Sequence, residues 1–126
     1  MPTKILTIDD EREFTSLISN YFSPRGYLVF IAHEGETGLA VAKKELPDVC
    51  LIDVKMPGKH GDEVLKEILQ FHPGTKCIMI TASEGEGKTR AKLLELGAYQ
   101  CFDKPISSLK VLEHTIQEAL SNGKTP

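Results

Sequence analysis

The chain has 126 residues, of which 40% are hydrophobic and 26% charged, a composition for one globular domain with one core rather than a disordered segment. A net charge of -3 builds no broad basic surface and argues against direct nucleic-acid binding. No apolar run approaches the roughly 20 residues that span a bilayer, and the N-terminus is no signal peptide, so a cytoplasmic protein without membrane contact is expected.

The predicted elements alternate. Lys4 to Ile8 reads as a first strand ending at Asp9-Asp10. Phe14, Leu17, Ile18, Tyr21 and Phe22 then recur at helical spacing, until Pro24 and Gly26 stop the helix. A second strand is expected over Tyr27 to Ile31 and a weaker helix over residues 35–46, stopped by Pro47. Val49 to Ile52, apolar on both faces, suits a central parallel strand and ends at Asp53. A loop rich in Pro and Gly follows, then a helix marked by Val64, Leu65, Ile68 and Leu69. Cys77 to Ile80 is a buried strand ending at Thr81. Residues 87–96 read as a helix capped by Gly97, and Tyr99 to Asp103 as a fifth strand followed by Lys104-Pro105. Ser107 or Ser108 caps a last helix carrying Leu109, Leu112, Ile116 and Leu120.

Five βα units imply an α/β fold, a doubly wound parallel sheet with helices on both faces and a site beyond the carboxyl ends of its strands. Those ends carry Asp9, Asp10, Asp53, Thr81 and Lys104. Three converging carboxylates repel one another unless a cation neutralises them, and a hard ion such as Mg2+ takes oxygen ligands of this kind. A carboxylate is also a nucleophile able to form an aspartyl phosphate. Phosphoryl transfer then needs positioning and positive charge, which Mg2+ and a lysine supply, while a threonine hydroxyl donates to a phosphoryl oxygen. Each residue has a plainer reading. Asp10 with Glu13 matches a helix capping box, Asp53 can close a turn, Thr81 can simply end a strand and Lys104 can lie on the surface. Those readings do not explain why all of them fall at neighbouring strand ends.

Ile8-Asp9-Asp10-Glu11, Asp53-Val54-Lys55-Met56-Pro57 with Gly61, Thr81-Ala82 and Lys104-Pro105 follow one another in a specific order and spacing. Over residues 3–120 the chain resembles the receiver domain of bacterial two-component response regulators, a signalling switch rather than an enzyme with a separate substrate. The resemblance implies a flavodoxin-like sheet in the order 2-1-3-4-5. It implies Asp53 as phosphoacceptor and Mg2+ bound by Asp10, by Asp53, by the Lys55 backbone carbonyl and, mainly through water, by Asp9. Thr81 would move to bond the phosphoryl group and Lys104 would pair with it. The donor would be a phosphohistidine on a sensor kinase or phosphotransfer protein. Lys55 and Ser83, each two residues past a site residue, would tune the lifetime of the phosphoryl group. A domain over 1–120 and a tail or start of a linker over 121–126 complete this reading, with the output left open.

One departure stands out. Members of the family place an aromatic residue three positions before the lysine, where this chain has Cys101. A thiol transmits less packing change to the face formed by the fourth helix, fifth strand and fifth helix, which also offers a dimer surface. Tyr99, two residues earlier, is a candidate substitute. The rival readings are weaker. Residues 82–89 imitate a P-loop of an NTPase, but begin with Ala82 and carry Glu84 and Glu86 where phosphates would sit. A flavodoxin-type redox protein needs a phosphate loop where Asp9, Asp10 and Glu11 stand. A receiver-like scaffold that works without phosphorylation is kept open by Cys101. Cys50, Cys77 and Cys101, with no CxxC pair, read as buried reduced thiols. The four histidines read as exposed bystanders, with His60 alone placed to touch the site.

Overall fold

A computed structural model describes residues 2–82 and 87–123. Five parallel strands, β1 (Lys4–Ile8), β2 (Leu28–Ala32), β3 (Val49–Asp53), β4 (Lys76–Thr81) and β5 (Gln100–Asp103), form one sheet in the order β2-β1-β3-β4-β5. Five helices connect and follow them: α1 (Arg12–Phe22), α2 (Gly35–Glu45), α3 (Gly61–Phe71), α4 (Gly87–Glu95) and α5 (Leu109–Gly123). The expected order and the central place of β3 are both observed. Every residue of β3 is buried, because β1 and β4 flank it and helices cover both of its faces.

The period-2 alternation of strand side chains divides the core into two layers. Leu6, Ile8, Cys50, Ile52, Cys77 and Met79 pack toward α2, α3 and α4. Ile5, Val49, Leu51, Ile78 and Ile80 pack toward α1 and α5. All three thiols are buried and free, as expected.

Several local expectations shift. β2 and β5 each begin one residue later than predicted, at Leu28 and Gln100. α5 continues to Gly123, three residues past Leu120, the last apolar residue that marked it in the sequence, and residues 124–126 lie outside the described residues. Asp10 and Glu13 form no capping box. Glu11 occupies the cap position of α1 without a side-chain cap bond, and Asp9 Oδ1 takes the Glu11 amide at 2.9 Å instead. Ser108 does cap α5, its Oγ accepting the Val111 amide. Two histidines are structural rather than bystanders: His33 lies 3.2 Å from Thr15 Oγ1 and His72 3.0 Å from the Pro47 carbonyl.

The sheet ends differ in kind. At the amino-terminal end, the nearly buried Glu113 carboxylate of α5 accepts from Tyr21 OH at 3.1 Å, Arg25 Nε at 2.9 Å and Tyr27 OH at 3.0 Å. The Arg25 guanidinium also lies over the Tyr21 ring. This knot ties the end of α1, the turn after it and the start of β2 to α5.

Candidate phosphoacceptor and metal site

The chain leaves β1 in one direction to form β2 and returns on the other side to form β3. The crevice of such a sheet lies where that direction changes, beyond the carboxyl ends of β1 and β3. Asp9 follows β1 and Asp53 ends β3, so both carboxylates meet there. Oxygens of Asp9, Asp10 and Asp53 lie within 4.8 Å of one another. Asp9 and Asp53 are buried, Asp10 exposed. Lys104, just past β5, brings its ammonium to 2.8 Å from Asp9 Oδ2 and 3.9 Å from Asp53 Oδ2. Of the residues predicted for the site, these four converge as expected.

Thr81 ends β4, half-buried, and its carbonyl accepts the Lys104 amide at 2.7 Å. Lys55 lies in the turn after β3, its amide 3.4 Å from Asp53 Oδ1. Ser83 lies outside the described residues, as do residues 84–86 of the stretch that imitates a P-loop. His60 does not reach the carboxylates: it caps α3, its amide donating to Glu63 Oε1.

Three further residues shape the site. Glu11 forms a second ion pair with the Lys104 ammonium, which also sits 4.9 Å from the centre of the Phe14 ring. The third consecutive acid after β1 was the available sign of Glu11, but nothing in the pattern shows that its side chain turns toward a residue 93 positions away. Gly61 is required sterically. A Cβ there would stand 2.3 Å from the Asp53 carbonyl oxygen, so only glycine lets α3 begin against the end of β3.

One ammonium does not balance these acids. Burial raises the Asp9 pKa most, against the opposing pull of Lys104 and the Glu11 amide. Burial, then the charge of Asp9, pushes Asp53 up to about 7. Burial draws Lys104 down, but the close Asp9 and Glu11 carboxylates outweigh that and its pKa is raised. Asp9 Oδ2 is fully buried and makes no hydrogen bond among the described residues, because the nearby ammonium is not aligned to donate to it. An under-neutralised group of hard oxygens with one orphaned atom fits a divalent cation such as Mg2+. Beside it, an open cavity of about 530 Å3 runs from Asp53, Lys55 and Lys104 across Phe14, Leu17 and Ile106.

The comparisons agree with this geometry. The chain is 41% identical over 109 residues to the transcriptional regulatory protein CpxR of Klebsiella pneumoniae, covering 86% of this chain and 46% of that protein. It is 37% identical over 105 residues to sporulation initiation phosphotransferase F of Bacillus subtilis, covering 83% of this chain and 84% of that protein. The chain thus spans about half the length of the CpxR proteins it matches. A CheY-like receiver domain structure from Methanospirillum hungatei superimposes with a TM-score of 0.90 at 29% identity, over 98% of each chain. The family model for the response regulator receiver domain matches residues 5–117, and the chain belongs to that family.

Proposed function

We propose that Asp53 is the phosphoacceptor of this receiver domain and that Mg2+ binds beside it. The single observation that carries this is the packing of three carboxylates within 4.8 Å of one another, beside an ammonium that stands 3.9 Å from Asp53. Asp9, Asp10, Asp53 and the Lys55 carbonyl would hold the ion. When bound, it supplies the positive charge that keeps Asp53 ionised and neutralises phosphoryl oxygens.

The chain's own groups do the rest. An Asp53 oxygen attacks the phosphorus of a phosphohistidine, the P–N bond breaks and its electron pair stays on nitrogen, and the imidazole leaves neutral, its other ring nitrogen having taken a proton from solvent. Lys104 turns from Asp9 and Glu11 toward the phosphoryl oxygens, and the Thr81 hydroxyl donates to another of them. Lys55 and Ser83 border the path of the water that later hydrolyses the acyl phosphate. The donor is a sensor kinase or phosphotransfer protein in the cytoplasm. The domain acts as a switch on a protein partner rather than on a substrate of its own, and its α4–β5–α5 face is the surface offered to that partner or to a second copy.

The test is intact mass after incubation with Mg2+ and acetyl phosphate, beside an Asp53→Asn control. One phosphoryl group gained only with both Mg2+ and Asp53 is expected. No gain, with a histidine-phosphorylated donor also tried, would favour the phosphorylation-independent scaffold.

A further inference from the structure

β5 is an edge strand, paired only with β4 among the described residues, so it presents carbonyl groups to the outside. Arg90 of α4 covers them. Its Nη1 donates to the Cys101 carbonyl at 2.7 Å and its Nη2 to Asp103 Oδ1 at 3.2 Å. The planar guanidinium therefore grips two points of β5 two residues apart, which fixes direction as well as distance.

The same stretch of β5 is bound to the phosphoacceptor side of the sheet. Asp103 is the register partner of Thr81, and the Lys104 amide donates to the Thr81 carbonyl at 2.7 Å. Besides this grip, Leu93 of α4 shares the buried layer of the core with Cys101. The Cys101 side chain is small, and a cavity of about 300 Å3 opens beside it, lined by Arg90, Asp103, Ile106, Ser108 and Val111. Phe102 points to the opposite layer of the core, toward α1 and α5. The Tyr99 amide bonds the Cys77 carbonyl, four residues before Thr81, or about 13 Å along the strand.

We propose that Arg90 is a positioning residue that couples the end of β4 and β5 to α4, so that phosphorylation of Asp53 is read out at α4 through the Arg90 grip on Cys101 and Asp103. The inference rests on the phosphoacceptor reading of Asp53. Movement of Thr81 toward a phosphoryl group draws the end of β5 with it through the Lys104 amide. The guanidinium, held at two points of β5, links that displacement to α4.

Hydrogen exchange of peptides from α4, with and without phosphorylation, tests this, and intact mass reports phosphorylation separately. In the wild-type chain α4 exchange is expected to change by about fivefold on phosphorylation, the low end of ordinary coupling between sites. Arg90→Gln and Asp103→Ala should still gain the phosphoryl group, while the change shrinks below about twofold. Asp103→Ala removes the acceptor of Nη2 at an exposed position and keeps the bond to the Cys101 carbonyl, so it answers the question even if Arg90→Gln loosens α4 altogether. A purely structural role speeds α4 exchange by one factor in both states and leaves their ratio intact; that result in Asp103→Ala overturns the coupling. Mass gain without any change at α4 in the wild type overturns it as well. No mass gain at all overturns the phosphoacceptor reading, and the coupling with it.

Discussion

Two buried acidic centres stand at opposite ends of the same sheet and are treated in opposite ways. Glu113 receives three donors, one of them a guanidinium, and its donors come from a single stretch between Tyr21 and Tyr27. Asp9 and Asp53 share one ammonium with Glu11 and leave a buried oxygen without a hydrogen bond, and burial with the charge of Asp9 pushes the Asp53 pKa upward. A buried charge is tolerated when donors and opposite charge surround it. The first centre meets that condition with side chains alone. The second meets it only with something from outside the chain. Burial of acids thus marks function here only together with incomplete neutralisation.

The comparison is most sharply tested at Glu113. Glu113→Ala should destabilise the fold by about 3 kcal/mol, since Arg25 and two tyrosine hydroxyls lose their acceptor; urea unfolding reads this. A loss under half of that would mean the knot is no more than surface decoration. Mg2+ should act only at the other end. At about ten times its dissociation constant it should add about 1.4 kcal/mol to stability, and Asp53→Asn should cut that gain sharply. An equal gain in the variant would put the ion elsewhere. Without Mg2+, Asp53→Asn should itself stabilise the chain by about 1 kcal/mol, a Tm rise of roughly 3–6 °C, by removing like-charge repulsion. Destabilisation would show that Lys104 already balances the site.

The same carboxylate makes stability depend on pH. Folding raises the Asp53 pKa from 3.8 to about 7, so between these values the folded chain binds this proton more tightly than the unfolded chain. Stability of the metal-free chain should therefore rise as pH falls from 8 to 6, and saturating Mg2+ should flatten or reverse that slope. A metal-free Tm that falls over this window would contradict the raised Asp53 pKa.

Much of the site was legible because strand ends are legible. A β-rich apolar run that stops at Asp53, Thr81 or Asp9 announces both the strand and its edge, and the parallel architecture brings those edges together. Glu11, Phe14 and Arg90 were not legible in the same way. Their roles depend on where a side chain turns after leaving its helix or loop, and hydrophobic periodicity carries no information on that. The capping box at Asp10 and Glu13 failed for a related reason. The motif competes with another local bond, in which the Asp9 carboxylate takes the Glu11 amide at the start of α1.

The sequence by itself determined the five βα units, the burial of the strands and which acids stand at their ends, because local periodicity and chain order decide those. Only the tertiary structure decided that Lys104 is shared among Asp9, Glu11 and Asp53, that Arg90 grips β5 where Cys101 leaves room, and that Glu113 is satisfied while Asp9 is not. Those are matters of distance and angle between groups far apart in the chain, and they exist only once the sheet has twisted and the helices have packed upon it.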